Sequence, residues 1–367
     1  MTTSTLVQLI GGATLLIVGA ELLVRGASRL ARMLGITPLI IGLTVVAFGT
    51  SAPELAVSVN AAFKGQADIT VGNVVGSNIF NILVVLGLAA SIAPLTVAQQ
   101  LVRVDVPLMI AASFVLLLLA LDGHLTRFDG FVLVSGMAGY LWLMLRQGKK
   151  ESAAVKEEYE RQIATGEVER ISAPMSMLLV AIGLAMLVVG ANWLVDAAVD
   201  IAAALGVSSL VIGLTIVAGG TSLPEVATSA IASIRGERDI AVGNAIGSNL
   251  FNILAVLGIT TIIAPGGISV APAAVNFDIP FMIAVAIACL PIFVHGHALL
   301  RFEGLIFLLY YVAYTVYLVL KASEHDALPE FSLVMRFFVV PLTLLTLVII
   351  TIRVIRQGRR ERRELSA

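Results

Sequence analysis

The sequence predicts an all-α polytopic membrane protein with two inverted five-helix repeats and an extra C-terminal transmembrane helix. Three observations predict this fold: an apolar composition, a series of long apolar segments, and an internal repeat. Of the 367 residues, 59% are hydrophobic and 13% are charged, and the mean hydropathy is +1.01. Soluble domains are about 45–50% apolar and about 25% charged. The composition therefore excludes a water-soluble globule and leaves the bilayer as the solvent.

Charge and cysteine content exclude further classes of protein. The chain has 23 Lys and Arg residues against 24 Asp and Glu residues, and a single cysteine. The basic residues are not interleaved with aromatic ones, so we expect no nucleic-acid partner. One cysteine cannot build a disulfide scaffold. The sequence also indicates no cofactor and no obligate protein partner.

Long apolar segments predict eleven transmembrane helices. A spanning helix needs about 20 mostly apolar residues, and runs of this kind are separated by charged residues or by Gly and Pro. The predicted helices cover residues 4–24, 37–63, 70–92, 104–121, 128–146, 175–200, 208–234, 241–264, 278–294, 302–320 and 333–355.

The positions of Lys and Arg predict the orientation of these helices. With the N-terminus outside, 19 of the 23 basic residues fall on the cytoplasmic side, and only Lys64, Arg127, Lys321 and Arg336 fall outside. Positively charged loops remain in the cytoplasm. We therefore expect a cell-membrane protein with its N-terminus outside and its C-terminus in the cytoplasm. The basic segment 356–365 is expected to contact anionic lipids.

The two halves of the chain repeat one another. Residues 42–87 and 213–258 align without a gap at an offset of 171, and 29 of the 46 positions are identical. Each half contains five predicted spans, and this odd number requires the second copy to be inserted upside down. Inverted repeats are typical of secondary transporters, whose substrate site lies near the bilayer midplane.

The repeat also predicts the organisation of the chain. We expect a first repeat with helices 1–5 (residues 1–146), a cytoplasmic linker (147–173), a second repeat with helices 6–10 (174–321), and an eleventh helix with a basic cytoplasmic tail (322–367). The linker is too short to form a catalytic domain. No Ser/His, Cys/His or His-based metal set accompanies the repeated residues, so we do not expect an enzyme.

Polar residues recur on one face of helices 2 and 7, at spacings i, i+3, i+4 and i+7. The members of this face are Ala47, Thr50, Ser51 and Glu54 in helix 2, and Ala218, Thr221, Ser222 and Glu225 in helix 7. The mid-span prolines Pro53 and Pro224 each lack a backbone N–H. Carbonyl oxygens around residues 47–50 and 218–221 are therefore predicted to leave the helical ladder. Exposed backbone at this depth is tolerated only where it lines a cavity or meets a partner.

A second repeated stripe lies on helices 3 and 8, at spacings i, i+4 and i+8. Its members are Asn73, Ser77 and Asn81, and Asn244, Ser248 and Asn252. Carboxylates, hydroxyls and amide oxygens suit Ca²⁺ or Na⁺ and argue against zinc, copper or iron. A mid-membrane carboxylate costs about 2.5–3.5 kcal/mol, and no basic residue lies at the depth of Glu54 and Glu225. Ca²⁺, two Na⁺ ions or protons would neutralise this pair.

The paired segments GTSAPE…GSNIFN and GTSLPE…GSNLFN resemble the two alpha-repeats of the calcium:cation antiporter family, the sodium/calcium exchangers, and specifically its compact prokaryotic members. The resemblance covers almost all of residues 5–321. It implies ten helices around a central site for Ca²⁺ and Na⁺. It also implies that helices 1 and 6 slide across the rest of the protein during alternating access.

The resemblance further implies roles for the repeated residues. Glu54 and Glu225 look like the principal Ca²⁺ ligands, with the Thr50 and Thr221 carbonyls beside them. The residues that look like Na⁺ ligands are Ser51, Ser222, Ser77 and Ser248 and the carbonyls of Ala47 and Ala218. Asn81 and Asn252 match the central position, where these exchangers often have Asp in place of Asn252. The two asparagines leave the Na⁺ count and the use of H⁺ open, and the eleventh helix has no counterpart in the ten-helix core.

Together these observations predict a secondary antiporter that exchanges Ca²⁺ for Na⁺ by alternating access at one shared site. Exchange of Ca²⁺ for H⁺ by the same two glutamates is the alternative within this class. A passive cation channel is the alternative from a different class, although two facing carboxylates without subunit symmetry fit a pore less well.

Overall fold

The protein is almost entirely helical. The computed structural model describes residues 3–164, 172–205, 218–294 and 297–341, together with Ile216. Eight described helices are long and apolar enough to cross a membrane, and the pair Pro38–Thr50 and Ala52–Phe63 forms a further span that is bent by 41°. The all-helical membrane fold is thereby confirmed. The beginning of predicted helix 7, the end of predicted helix 11 and the basic tail lie outside the described residues.

The described residues form thirteen helices and four short strands. In chain order the helices are α1 (Thr3–Leu34), α2 (Pro38–Thr50), α3 (Ala52–Phe63), α4 (Ala67–Phe80, continued by Asn81–Leu86 and Gly87–Ile92), α5 (Leu101–Leu119), α6 (Arg127–Ala164), α7 (Ala173–Ala204), α8 (Ala218–Gly220), α9 (Leu223–Ile234), α10 (Arg238–Ile263), α11 (Ala274–Val294), α12 (Arg301–Ala322) and α13 (Leu328–Val334, continued by Met335–Val339). The strands are β1 (Leu95–Thr96), β2 (His124–Leu125), β3 (Ile268–Ser269) and β4 (Ala298–Leu299).

Two helices extend by ten residues or more beyond the ends that the sequence predicted. Helix α1 continues to Leu34, ten residues beyond the predicted end at residue 24. Its charged residues do not end the helix, because Glu21 and Arg32 form ion pairs with residues of the second half. Helix α6 continues to Ala164, so the first part of the predicted linker is helical. That part is rich in Ala, Glu and Lys, which are good helix formers.

Helices α1 and α7 occupy matching positions in the two halves and pack against each other antiparallel. Glycines form the contact: a Cβ at Gly12 would lie 2.9 Å from the carbonyl oxygen of Gly190, and one at Gly19 would lie 2.9 Å from that of Gly183. Small residues allow such close backbone approach between membrane helices. The antiparallel run of two matching helices is consistent with the inverted repeats predicted from sequence.

Other contacts between the halves are also reciprocal. Strand β1 pairs antiparallel with β4, and β2 pairs antiparallel with β3. Each of these pairs joins one half to the other and has its counterpart. The same holds for two glycine contacts, Gly87 with Gly304 and Gly130 with Gly258. The two halves are thus interleaved rather than side by side.

Helices α4 and α10 form the centre of the molecule. Within their most apolar windows, 67% of residues in α4 and 78% in α10 are buried, whereas only 6% are buried in α12. The central pair carries the second repeated polar stripe, so those polar residues are shielded from lipid.

Candidate cation site

The candidate site begins at a break between α2 and α3. The backbone turns at Ser51, where φ is −80° and ψ is 4°, and Pro53 lies in the first turn of α3. Because proline has no N–H, the bond that would continue the ladder across the turn is missing. The second half repeats this break at Ser222, with φ −90° and ψ 7°, followed by Pro224. The two breaks predicted from the prolines are therefore present.

Fewer carbonyl oxygens leave the helical ladder at this break than the sequence predicted. The carbonyl of Ala47 was predicted to leave the helical ladder, but it accepts the backbone N–H of Ser51 at 3.0 Å. It also lies 3.4 Å from the hydroxyl of Thr50. The bond survives because the backbone turns one residue after Thr50 rather than within residues 47–50. Of the matching Ala218, the structure describes the backbone only.

The breaks place one glutamate at the start of a new helix in each half. Glu54 lies in the first turn of α3 and Glu225 in the first turn of α9. The positive end of the helix dipole favours negative charge there. Both side chains are 0% exposed, and among the described residues neither forms an ion pair. Each half therefore contributes a buried carboxylate without a cationic side chain beside it.

Serines from opposite halves connect the two carboxylates. Ser222 donates to Glu54 Oε1 at 2.9 Å, and Ser51 donates to Glu225 Oε1 at 3.4 Å. Within each half, Ser77 donates to Glu54 at 3.3 Å and Ser248 donates to Glu225 at 3.4 Å. Each glutamate is thus held by one serine of its own half and one of the other.

Two matching sets of hydrogen-bonded polar residues lie beside the glutamates, and we call them together the polar ring. Its members are Thr50, Asn244, Ser229, Thr221, Asn73 and Ser58. Thr50 donates to Asn244 Oδ1 at 3.0 Å, and the Asn244 amide donates to the hydroxyl of Ser229 at 3.0 Å. The reciprocal contacts are those of Thr221 with Asn73 at 3.4 Å and of Asn73 with Ser58 at 3.0 Å. These contacts leave Glu54 Oε2 and Glu225 Oε2 without a hydrogen-bond partner among the described residues.

The ring is buried unequally in its two halves. Thr50 and Asn244 are fully buried, whereas Thr221 and Asn73 are half-buried. The same residue types at matching positions therefore differ in their access to the surroundings of the protein. The described arrangement is closed on the side of Asn244 and more open on the side of Asn73.

Asn81 and Asn252 begin π-helical turns in the middle of the central helices. The turns span Asn81–Leu86 and Asn252–Leu257. Single π-helical turns inside α-helices occur frequently at functional sites, since they widen the helix and change the direction of side chains. Both asparagines are fully buried. Nothing in the local sequence signals these turns.

Several buried oxygens at the site have no hydrogen-bond partner among the described residues. They are Glu54 Oε2, Glu225 Oε2, Asn81 Oδ1 and Asn252 Oδ1. A buried polar atom left without a partner costs about 1–3 kcal/mol. Oxygen ligands of this kind suit hard cations such as Ca²⁺. Among the described residues, no three His, Cys, Asp or Glu side chains are grouped so that they could hold a metal ion together.

The structure brings together most, but not all, of the residues singled out from sequence. Hydrogen bonds join the two glutamates, the four serines and the two threonines to one another or to Asn73 and Asn244, whereas Asn81 has no bond to any of them. Sequence reasoning missed Ser58 and Ser229, which support the ring, and Asn78, which bonds Asn252 at 3.0 Å. All three residues are repeated at the offset of 171: Ser58 matches Ser229, and Asn78 matches Asn249. The repeat was therefore the signal that could have found them.

Comparisons with known proteins identify the family of this chain. The chain matches the family described as "Sodium/calcium exchanger protein" over residues 4–146 and 175–320. The putative antiporter CaxA of Alkalimonas amylolytica is 42% identical over 274 residues, which cover 73% of this chain and 84% of that protein. The sodium/calcium exchanger MaX1 of Methanosarcina acetivorans is 31% identical over 305 residues, covering 74% and 86%.

Solved structures support the same assignment. A structure of the sodium-calcium exchanger NCX_Mj has a TM-score of 0.73 and 31% sequence identity to this protein, and covers 88% of this chain and 99% of its own. The resemblance inferred from the repeated segments is thus confirmed. This chain is a multi-pass membrane protein of the sodium/calcium exchanger family, a family of antiporters rather than enzymes.

Proposed function

We propose that this protein exchanges Ca²⁺ for Na⁺ at a single site that contains Glu54 and Glu225. Ca²⁺ would be held by the two carboxylates with the carbonyls of Thr50 and Thr221. Na⁺ would use the four serine hydroxyls and the carbonyls of Ala47 and Ala218. Asn81 and Asn252 would complete the centre as neutral ligands.

The proposal rests mainly on two hydrogen bonds, each between a serine of one half and the glutamate of the other half. Ser222 reaches Glu54 and Ser51 reaches Glu225, so the carboxylates of the two halves share one set of donors. Each carboxylate keeps one buried oxygen without a partner. Two negative charges in hydrocarbon are unfavourable unless they are neutralised. Because the empty site is unfavourable, one cation should leave only when another replaces it. This favours coupled exchange over uncoupled passage of cations.

The packing of α1 and α7 supports alternating access. Their contact consists of glycine backbone against glycine backbone, which presents few interlocking side chains to resist sliding. The unequal burial of the ring is what alternating access requires, since one side must be closed while the other is open. The movement proposed is a shift of α1 and α7 together across α2–α4 and α8–α10.

Orientation and location follow from charge. With 19 of 23 Lys and Arg residues on one side, the positive-inside rule places the N-terminus outside and the C-terminus in the cytoplasm. Thr221 and Asn73 then face the outside, and Thr50 and Asn244 the cytoplasm. We place the protein in the cell membrane, with the basic tail near anionic lipid.

Flux of radioactive calcium into proteoliposomes tests the proposal. The purified protein is reconstituted with Na⁺ inside, and uptake is started by dilution into Na⁺-free medium containing calcium. We expect uptake that follows the Na⁺ gradient and persists when a protonophore collapses any pH gradient. Liposomes without protein provide the baseline.

Two outcomes would replace this proposal by an alternative. Uptake that follows an imposed pH gradient and ignores Na⁺ would indicate Ca²⁺/H⁺ exchange, with protons on the two glutamates. Uptake that continues with no counter-ion on the opposite side would indicate a passive channel. Both outcomes are read in the same vesicles by changing only the internal solution.

A further inference from the structure

A chain of buried asparagines links the two halves beside the proposed site. The Asn78 amide nitrogen donates to the backbone carbonyl of Asn249 at 3.3 Å. The Asn252 amide nitrogen donates to Asn78 Oδ1 at 3.0 Å. All three residues are buried. Asn78 comes from the first half, and Asn249 and Asn252 from the second.

The backbone carbonyl of Asn249 fixes which way the hydrogen bonds between these asparagines are donated. A backbone carbonyl only accepts hydrogen bonds, so Asn78 must turn its NH₂ group towards Asn249. The carbonyl oxygen of Asn78 then faces Asn252, which must donate a hydrogen bond through its own NH₂ group. The remaining atom, Asn252 Oδ1, is buried and has no partner among the described residues.

The asparagines related to this pair by the repeat, Asn249 and Asn81, form different contacts. Asn249 corresponds to Asn78 at an offset of 171 and Asn81 corresponds to Asn252, yet Asn249 does not bond Asn81. Its amide nitrogen lies 3.3 Å from the sulfur of Met109. Both amide atoms of Asn81 lack a partner among the described residues. Only one of the two central asparagines therefore has a fixed orientation.

We infer that Asn78 is a positioning residue that holds Asn252 with its carbonyl oxygen turned towards the cation. The inference rests on the proposed function, because it assigns Asn252 a ligand role in the same site. The backbone of Asn249 orients Asn78, and Asn78 orients Asn252. The second half thus supplies a preorganised neutral ligand, whereas Asn81 must be ordered by the ion itself.

Asn78→Ala tests this inference, with Asn249→Ala as its matched control. Each variant removes a buried amide at the same place in the repeat, but only the first releases Asn252. Calcium affinity is measured by isothermal titration of purified protein in detergent. One lost orienting bond predicts roughly a 3- to 10-fold weaker affinity for Asn78→Ala, and a change of less than about 2-fold for Asn249→Ala by the same reasoning.

A double-mutant cycle separates positioning from packing. If Asn78 acts through Asn252, then Asn78→Ala adds no further loss in an Asn252→Ala background, yet shows its full loss in an Asn81→Ala background. A purely structural effect would be the same in all backgrounds. Equal losses in Asn78→Ala and Asn249→Ala, or full additivity with Asn252→Ala, would overturn the inference.

Folding and the parent proposal are checked separately. Thermal unfolding and size-exclusion profiles report whether each variant is folded. If Asn78→Ala is not, Asn78→Ser replaces it, since it keeps a polar side chain but lacks the amide oxygen that accepts from Asn252. Failure of the unmodified protein to bind or exchange calcium would instead reject the proposed function. The two failures are thus distinguishable.

Discussion

Ser222 donates a 2.9 Å hydrogen bond to the carboxylate of Glu54, a residue 168 positions earlier in the chain. The reciprocal bond from Ser51 to Glu225 measures 3.4 Å. Each serine precedes the glutamate of its own half by about one helical turn, yet bonds the glutamate of the other half. The carboxylates are therefore held at the boundary between the halves. Movement of one half relative to the other must change both bonds.

The two serines are expected to contribute unequally to cation binding. An O–H···O bond is normally 2.5–3.0 Å long, so the contact of Ser222 is strong and that of Ser51 is weak. We predict that Ser222→Ala weakens calcium affinity about 10- to 100-fold, the effect of about one hydrogen bond to a charged group. Ser51→Ala should cost less than half as much in free energy. Isothermal titration of both variants checks this order, and a larger loss in Ser51→Ala would contradict it.

Replacing either glutamate by glutamine should abolish exchange. Glu54→Gln and Glu225→Gln keep the side-chain volume and remove the charge that binds the cation. Loss of a direct ligand should exceed the roughly 10- to 100-fold effects seen for groups that only support ligands. Radioactive calcium flux in proteoliposomes measures the loss, and thermal unfolding confirms that each variant is folded. Exchange retained within tenfold of the unmodified rate in either variant would refute the ligand set.

Adding a methyl group between α1 and α7 should destabilise their contact. A Cβ at Gly183 would lie 2.7 Å from both the carbonyl oxygen of Gly19 and the backbone nitrogen of Leu23. Overpacking of this kind costs about 1–3 kcal/mol, so Gly183→Ala should lower the unfolding temperature and the calcium flux. Gly139→Ala is the control, because a Cβ there meets no described atom within 4 Å. Equal stability of the two variants would argue against close backbone packing.

Ion pairs hold α1 to the connection between α9 and α10. Arg32 lies 2.8 Å from Glu237, which also accepts from Ser28 at 2.5 Å, while Glu21 pairs with Arg235. Gln66 occupies the position of Glu237 in the first half, so no matching Arg–Glu pair can form there. The contact therefore stabilises closure on one side only.

Glu237→Gln should loosen the closed side. Removing the charge of Glu237 weakens both of the bonds that it accepts, which is expected to cost about 1 kcal/mol. Hydrogen–deuterium exchange should then increase in residues 38–50 and 239–248, and stay unchanged in residues 67–78 on the opposite side. Gln66→Ala provides the matched control and should leave all three segments unchanged. Equal increases on both sides would show a general loss of stability instead.

The sequence indicated which polar residues lie close together better than it indicated the helix ends, and the reason is physical. Glu54 and Glu225 stood out because polar residues in apolar helices were repeated, and the cost of burying charge makes such repeats informative. The end of α1 was placed too early because charged residues were taken to separate the apolar runs, whereas Glu21 and Arg25 lie within α1. The partner of Glu21, Arg235, lies 214 positions away, and no local pattern reveals such a contact.

Other features depended on tertiary geometry. The role of Asn78 required knowledge of which atom faces the Asn249 backbone, although the repeated motif already contained both residues. The retained bond of the Ala47 carbonyl could not be predicted, because a proline shows which N–H is missing but not where the backbone turns. The two-residue strands β1–β4 were missed because each forms only with a partner from the other half.

The central claim is that one carboxylate from each half binds the same calcium ion. Equilibrium binding of radioactive calcium to the purified protein, Glu54→Gln and Glu225→Gln tests it most directly. The account predicts a single Na⁺-displaceable calcium site in the unmodified protein, and its loss in both variants. A variant that keeps full calcium stoichiometry with unchanged affinity would show that the two carboxylates do not share the ion.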